Sequence, residues 1–427
     1  MYQTKIALRS LFYRKTQYIS LFLVCMFGVA ISLSAIAVST GMIRSMNQKA
    51  KIYYGGDFAM MCATDDGLAI FDYEDSLELI KSTLPEDAVV TPRMDLLAND
   101  AAFYFEGVQA LQRTIKGINF KNEKDLISSF YFVEGDFDIP ENSNGLLISL
   151  PIAKMLNVHV GDEITFQIKT YNSFLNTVPV VVKGIFQDSS VFGTYTSYMD
   201  FNFLKKAYDR PENFANRICV NFPNRKINQK QLHDFYDSLK DKLNMYDWVD
   251  DKDVYIDASD YFKTETWGLI PLSANLNDVE IMELAMDAVI SFIIVILTVI
   301  IVAGIGSTYR VLIMKRITEI GIYMAVGMKK RSIIATLLFE SFLLLFAGCL
   351  FGLVLTGFFC SLISIFDFSF IPSFDMFLEK GNLSPHMDVI KSVAVIASVI
   401  IVTLLAVLYS TVKSIKIMPV QALAVTE

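Results

Sequence analysis

The sequence has little charge and few histidine, tryptophan or cysteine residues. Charged residues make up 19% of the 427 residues and hydrophobic residues 53%, with 3 histidines, 2 tryptophans and 5 cysteines. Average soluble proteins carry about 25% charged residues, so these values exclude a single soluble domain. The three scattered histidines, His159, His233 and His386, form no metal-ligand pattern. We therefore predict no metal site.

Motifs of nucleotide and hydrolytic chemistry are also absent. The chain has no G-x-x-x-x-G-K-[ST] loop, no G-x-S-x-G elbow and no H-E-x-x-H pair. We therefore predict no catalytic residues, no enzyme activity and no cofactor bound by this chain. The pI of about 5.1 argues against nucleic acid as a partner, because phosphate binding needs clustered Lys and Arg.

The charge is distributed unevenly. Residues 41–287 contain 23 of the 37 basic and 38 of the 45 acidic residues, whereas the remaining 180 residues contain 14 basic and 7 acidic ones. The chain therefore combines an acidic, water-soluble part with an apolar, basic part.

Four apolar stretches are long enough to cross a bilayer, whose hydrocarbon core needs about 20 residues of helix. We predict transmembrane helices at residues 17–40, 286–309, 333–366 and 389–412. Within the apolar runs 18–38, 288–309, 333–366 and 392–412, Glu340 is the one charged residue. An alternative remains for the first stretch, because Ala35-Ile36-Ala37 resembles a signal-peptidase site.

Basic residues flank these stretches on one side. They concentrate in residues 1–16, 310–332 and 413–427, whereas the loop 367–388 is acidic. Short loops rich in Lys and Arg stay in the cytoplasm. We therefore predict a cytoplasmic amphipathic N-terminal helix at 1–16, a cytoplasmic loop at 310–332 and a cytoplasmic tail at 413–427. Residues 41–285 and the short loop 367–388 are predicted to lie outside.

The predicted fold is an α-helical membrane protein with four transmembrane helices and a large α+β extracytoplasmic domain. That domain is inserted between helices 1 and 2 and consists of two subdomains, the β-rich one spanning roughly residues 100–200. Residues 276–284 contain neither Gly nor Pro, which favours one continuous helix into the second transmembrane stretch. Cys62 and Cys219 lie in this domain, and their spacing does not decide whether they are bridged.

The 310–332 loop contains an amphipathic pattern. Residues 314–325 are helical by period, and their apolar side consists of Ile317, Ile320, Ile322, Tyr323 and Met324. Gly327 fits a helix stop in the left-handed region. Such a helix can lie on a membrane or dock into a groove of a partner. For Glu340, pairing with Lys329–Arg331 or with a neighbouring helix is favoured over a proton relay.

The loop resembles the cytoplasmic signature R-x-x-E-I-G-x-x-x-A-x-G of the FtsX-like permeases, the membrane subunits of MacB-type and lipoprotein-releasing ABC transporters. Further resemblances lie in both terminal segments, in the third apolar stretch and in the outer domain. The matching residues are Arg316, Glu319, Ile320, Gly321, Ala325 and Gly327 in the loop, Phe339, Glu340, Gly348 and Gly352 after it, Ala7, Leu8, Arg9, Arg14 and Lys15 at the start, Pro419, Ala422 and Leu423 at the end, and Ala153, Leu156, Gly161 and Asp162 in the outer domain.

The resemblance implies a permease subunit that transmits ATP-driven motion of a separate ATPase to its periplasmic, MacB-like domain. Arg316, Glu319, Ile320, Gly321, Ala325 and Gly327 would couple to that ATPase, and Glu340 is the intramembrane polar residue. The implied partners are an ABC ATPase dimer, which would bind ATP and Mg, a second permease copy or paralogue, membrane lipid, and a periplasmic carrier or lipoprotein substrate. The implied location is the cell inner membrane, with several spans.

The large size of the predicted outer domain, residues 41–285, and the lack of an ATPase motif favour one branch of this family. That branch releases lipoproteins from the outer leaflet of the inner membrane. The alternatives are export of a peptide, drug or lipid from the periplasm, and regulation of a cell-wall hydrolase. A membrane-anchored receptor without ATPase coupling is the alternative outside the ABC class.

Overall fold

The computed structural model describes residues 15–65, 67–190, 192–371 and 373–414. The predicted N-terminal helix 1–16 and the tail 413–427 fall almost entirely outside these residues. The chain divides into two compact units. We call the described parts of 1–41, 284–366 and 384–427 the helical unit, and 42–283 with 367–383 the globular unit.

Long helices supply the helical unit and short ones the globular unit. The helices are α1 Lys15–Tyr54, α2 Tyr73–Thr83, α3 Lys124–Ile127, α4 Leu150–Leu156, α5 Phe201–Ala207, α6 Gln229–Lys240, α7 Lys252–Ser259, α8 Leu272–Asn275, α9 Asn277–Lys315, α10 Ile317–Ala325, α11 Lys330–Ile363 and α12 Val389–Ser414, with a 3-10 helix at Phe374–Phe377. Helix α9 is continuous from Asn277, as expected from the absence of Gly and Pro in 276–284.

All described strands lie between α1 and α9 in the sequence. They are β1 Phe58–Thr64, β2 Gly67–Leu68, β3 Val89–Phe105, β4 Val108–Ile118, β5 Phe132–Gly135, β6 Gly145–Ser149, β7 Glu163–Lys169, β8 Leu175–Phe186, β9 Thr196–Asp200, β10 Arg217–Asn221 and β11 Thr266–Pro271. They form one 11-stranded sheet.

Four helices are long and apolar enough to cross a membrane. The candidate spans are Tyr18–Tyr54, Glu283–Lys315, Lys330–Ile363 and Val389–Lys413. Each contains a stretch whose apolar length matches a bilayer core, so the chain is a membrane protein. The span boundaries at 17–40, 286–309, 333–366 and 389–412, and the side of the membrane on which each loop lies, stay predictions.

The helical unit has its own apolar core, to which α1, α9, α10, α11 and α12 all contribute. Leu33, Ile305, Leu345 and Val407 are almost completely buried in it. In contrast, the outward-facing residues of α9 are large and apolar, including Phe292 and Val299, which are more than half exposed. An exposed apolar surface on such helices is expected where lipid replaces water.

The globular unit contains a closed ring of strands. The pairings run β3–β4, β4–β9, β9–β6, β6–β8, β8–β7 and β7–β3, which returns to the first strand. Inward-facing residues such as Phe103, Ile115, Phe166, Val180 and Met199 are fully or almost fully buried. The ring therefore has a packed interior, and closure removes most of its free strand edges.

A second group of strands shares β3 with the ring. Residues Val89 to Arg93 of β3 pair with β10, β10 pairs with β1, and β1 pairs with β11. Helices α2 and α6 contribute Ile80, Leu232 and Leu239 to the apolar cluster on this group. Because β3 is long enough to enter both groups, it joins the two cores within one unit.

Cys62 and Cys219 of the globular unit are free thiols. Cys62 lies opposite Trp267 on β11, whereas Cys219 lies opposite Ala59 on β1, and both are buried. Neighbouring strands therefore keep the two side chains at different positions along β1.

The turn after α1 depends on two glycines with positive φ, and Gly56 is the more constrained. Its φ is +139°, and a Cβ there would lie 2.3 Å from the carbonyl oxygen of Val220. Gly107 also has a positive φ, +83°, but a Cβ there would meet nothing within 4 Å. A side chain at Gly107 would therefore cause backbone strain alone, whereas one at Gly56 would cause both backbone strain and steric overlap.

We predict that Gly56→Ala destabilises the globular unit more than Gly107→Ala. Gly107→Ala adds only conformational strain, of order 1 kcal/mol, whereas Gly56→Ala adds an overlap with β10. Both tryptophans, Trp248 and Trp267, lie in the globular unit, so urea unfolding followed by tryptophan fluorescence reports on it. Equal midpoints for the two variants would contradict the close approach at Gly56.

Candidate functional site

The described loop between α9 and α11 contains a helix break at Arg316. Its backbone has φ −101° and ψ 9°, outside the helical region, so the segment predicted as one helix from 314 to 325 is divided into the end of α9 and α10. Neither Gly nor Pro stands at the break. The break coincides with a side chain that turns into the helical unit, where Arg316 is 5% exposed.

Arg316, Glu340 and Tyr18 form a network that we call the buried triad. Arg316 Nη1 donates to Glu340 Oε2 at 2.8 Å and to the Tyr18 hydroxyl at 3.1 Å. The Tyr18 hydroxyl in turn donates to Glu340 Oε1. The triad connects α1, the break before α10, and α11, and Tyr18 lies 322 positions from Glu340 in the sequence.

Burial makes the pairing in the triad obligatory. Glu340 is 0% exposed and Tyr18 3%. An unpaired charge in an apolar interior is costly, and removing one partner of a buried pair typically costs about 3–5 kcal/mol. Arg316 Nε also donates to Glu319 Oε2 at 3.3 Å, so the first turn of α10 is tied to the same guanidinium group.

The partners of Glu340 confirm one of the two alternatives, pairing with a neighbouring helix. The sequence favoured pairing with Lys329–Arg331 or with a neighbouring helix. The structure pairs Glu340 with Arg316, which precedes α10, and with Tyr18 on α1. Tyr18 was not predicted as a site residue. One sequence feature could have indicated it: Tyr18 places a hydroxyl group at the start of the first apolar stretch. Such a group can hydrogen-bond to a carboxylate buried in a neighbouring helix, here that of Glu340.

The residues predicted to couple to an ATPase divide into a buried and an exposed group. Ile320 is 4% exposed and packs in the core of the helical unit, and Gly321 is also buried. These two residues therefore face their own chain and offer no surface for direct contact with a partner. Ala325 and Gly327 are exposed, while Glu319 is half-buried. The coupling role of all these residues stays a prediction.

The end of α10 has a Schellman-type hydrogen-bond pattern. The amide of Met328 donates to the carbonyl oxygen of Tyr323, and that of Gly327 to Met324, both at 3.0 Å. Gly327 has φ +92°, the left-handed conformation that glycine adopts without strain. The predicted helix stop at Gly327 is therefore present.

The outward face of α10 is small and largely apolar. Ile322 is 50% exposed and Val326 83% exposed. Glu319, Ile322 and Val326 are spaced three and four residues apart, which places them on one face of the helix. Met324, expected beside Ile320 on the docking side, packs against the core instead.

Beyond the triad, α11 packs closely along α1. A Cβ on Gly348 would lie 3.0 Å from Cys25 Sγ, and one on Gly352 would lie 2.9 Å from the carbonyl oxygen of Met26. The Thr356 hydroxyl donates to the carbonyl oxygen of Ala30 at 3.3 Å. Small residues at intervals of four let two membrane helices approach each other, so this seam holds α1 beside α11 along several turns.

The described residues contain no group of three or more metal-ligating side chains. The buried site of the helical unit consists of an ion pair and a tyrosine. Such an arrangement is suited to holding helices together.

Comparison of the sequence with protein families matches residues 291–419 to the FtsX-like permease C-terminal family. The matched segment contains most of α9 and all of α10, α11 and α12, and thus both Arg316 and Glu340. The C-terminal part of the chain is therefore similar to this family, and the matched segment includes the motif in the 310–332 loop that carries the resemblance. The match covers a little under a third of the chain.

A comparison with solved structures finds similarity to the periplasmic region of MacB from Actinobacillus actinomycetemcomitans. The identity is 10%, the TM-score 0.33, and the alignment covers 54% of this chain and 95% of that chain. A similarity of this size is too low to support an argument about this protein. A sequence search of curated proteins gave no significant match.

We predict that removing only one charge of the triad, either Arg316 or Glu340, destabilises the helical unit more than removing both charges. Arg316→Met and Glu340→Met each leave a buried charge without its partner and should cost up to about 3–5 kcal/mol, whereas the double variant should recover most of that loss. Thermal melting in detergent, followed by far-UV circular dichroism, measures the effect.

Arg310→Met is the matched control, because Arg310 is an exposed arginine near the same end of α9. Single variants as stable as this control would contradict a stabilising triad.

We predict that mild oxidation links Cys25 to Cys349 within one chain. Their Sγ atoms are 4.0 Å apart across the seam. Treatment with copper phenanthroline should give a disulfide that mass spectrometry detects as linked peptides, and Cys25→Ala should abolish it. Cys360 lies on the same helix, roughly 16 Å further along by helix rise. A bond from Cys25 to Cys360 instead would show that the seam has a different register.

Proposed function

We propose that this chain is the membrane subunit of an ABC transporter, in which α10 receives the movement of a separate ATPase. The FtsX-like permease match over residues 291–419 carries the proposal. It is supported by the exposed apolar residues Ile322 and Val326 at α10. ATP and Mg would be bound by the ATPase partner, and this chain would do mechanical work.

The buried triad gives the proposed transmission a physical path. Arg316 precedes α10 directly, and its guanidinium group holds α11 through Glu340 and α1 through Tyr18. A displacement of α10 would therefore act on α1 without passing along the whole length of α9. In this proposal Arg316, Glu319 and Glu340 transmit force, whereas Ile322, Ala325 and Val326 provide the contact surface.

For the substrate, we propose lipoproteins that are released from the outer leaflet of the inner membrane to a periplasmic carrier. The support is the large globular unit between the first and second candidate spans, which is the arrangement of the lipoprotein-releasing permeases that the sequence resembles. The globular unit would then face the periplasm, and a second permease copy or paralogue would complete the complex.

We predict that Ile322→Asp and Val326→Asp abolish the association with the ATPase while the chain stays folded. Both side chains are exposed, so a carboxylate there disturbs only a surface that must become buried on docking, at a cost of about 1.5–3 kcal/mol for each lost apolar contact. The measurement is vanadate-sensitive ATP hydrolysis in the complex purified from membranes. Lys413→Asp, an exposed acidic substitution outside α10, is the control.

The same complex in proteoliposomes tests the substrate, with a triacylated lipoprotein as the probe. ATP-dependent release of the probe by the wild type, and none by Val326→Asp, is expected. Full hydrolysis by both α10 variants would exclude α10 as the docking element. Hydrolysis without lipoprotein release would leave the ABC assignment and exclude this substrate.

A further inference from the structure

The surface around α10 carries basic charge that the described part of the chain does not neutralise. The 310–332 loop contains six basic residues and one acidic residue, Glu319. Arg316 is buried in the triad, and its Nε donates to Glu319. The other five basic side chains are exposed, and within the described residues they form no ion pair: Arg310, Lys315, Lys329, Lys330 and Arg331.

The other described acidic residues of the helical unit lie away from α10. Glu340 is already paired in the buried triad. Asp287 lies 28 positions before Lys315 on α9, roughly 42 Å by helix rise. Asp388 belongs to the same distant end, because Lys391, three positions after it, bonds to Asp287 at 3.0 Å. Within the described part of the helical unit, no further carboxylate is therefore placed to neutralise the basic surface.

Three of the basic residues stand at the start of α11, where their charge is unfavourable for the helix. Lys329 is the N-cap, Lys330 and Arg331 follow it, and the first turn contains no acidic residue. The helix macrodipole places partial positive charge at an N-terminus, so anions are stabilising there and cations are not. The three side chains thus give their own helix no electrostatic benefit, and we expect their counter-charge on a partner.

The exposed apolar residues of α10 fit a protein partner better than a lipid surface. A helix that lies on a membrane needs a broad apolar face turned outward. Here Ile320, Tyr323 and Met324 pack in the core of the helical unit or against it. Only Ile322 and Val326 are left as large exposed apolar residues on the described turns of α10 and its C-cap. A small apolar centre with a charged rim is the usual composition of a protein–protein interface.

From this charge distribution we propose that the ATPase surface that receives α10 is acidic around an apolar centre. The inference rests on the proposed function and specifies the chemistry of the partner at the same surface. Ile322 and Val326 fill the centre, whereas Lys329, Lys330 and Arg331 meet carboxylates at the rim. Complementary charges at a rim raise the rate of association and make it sensitive to salt.

The test measures binding of the copurified ATPase, separated and added back, to the full-length chain in nanodiscs of neutral phosphatidylcholine. The wild type should bind about tenfold more weakly at high than at low NaCl concentration, because salt screens exposed charges. The triple variant Lys329→Glu, Lys330→Glu, Arg331→Glu should bind about tenfold more weakly than the wild type at low salt and lose the salt dependence. The corresponding triple substitution to Gln should lie between the two.

Lys413→Glu is the matched control, because Lys413 is an exposed basic residue outside the loop, and it should bind as the wild type does. The salt series uses the unaltered chain, so it stays decisive if charge reversal disturbs folding. Binding that is insensitive to salt and to charge reversal would overturn the inference and leave the proposed function standing.

Two further outcomes would also overturn it. A salt dependence that appears only when anionic phosphatidylglycerol is added to the nanodiscs would assign the basic surface to lipid headgroups. No binding of the ATPase to the wild type at any salt concentration would overturn the proposed function itself, and this inference with it.

Discussion

A charge buried in an apolar interior must be neutralised, and this requirement places Arg316 beside Glu340 in the helical unit. The carboxylate is fully buried on α11, and the guanidinium group lies at a helix break that no Gly or Pro causes. Because Arg316 pairs with Glu340, the loop after α9 turns inward. The Tyr18 hydroxyl on α1 joins the same hydrogen-bond network. The position of α10 thus follows from an electrostatic need.

The triad also decides in which direction the apolar residues of the 310–332 loop face. An apolar stripe on a short helix can face a partner, a membrane or its own domain. Because Arg316 is held inside, Ile320 and Met324 turn toward the core with it, and Ile322 and Val326 are left outside. The signature residues of the loop therefore serve two tasks, the inner ones fixing the helix and the outer ones forming its free surface.

A similar principle operates in the globular unit, where buried polar groups hold chain segments that hydrophobic packing alone would leave loosely defined. Arg93 and Glu123 secure the end of α1, and Asp375 secures the loop between α11 and α12. Each has specific hydrogen-bond partners, so each defines a position more sharply than an apolar contact does.

The sequence by itself determined the four apolar stretches, the mixed α and β region between the first and second, and the glycine that ends α10. These features depend on local composition, length and backbone freedom, which can be read along the chain. The motif spacing around Arg316, Glu319 and Gly327 likewise sufficed to indicate a resemblance to the FtsX-like permeases, which the family match over residues 291–419 supports. Tertiary structure alone decided the partner of Glu340, the role of Tyr18, the inward face of α10 and the seating of Asp375 at Ser189. Those contacts join residues from 24 to 322 positions apart, and no local pattern encodes which buried charge meets which partner.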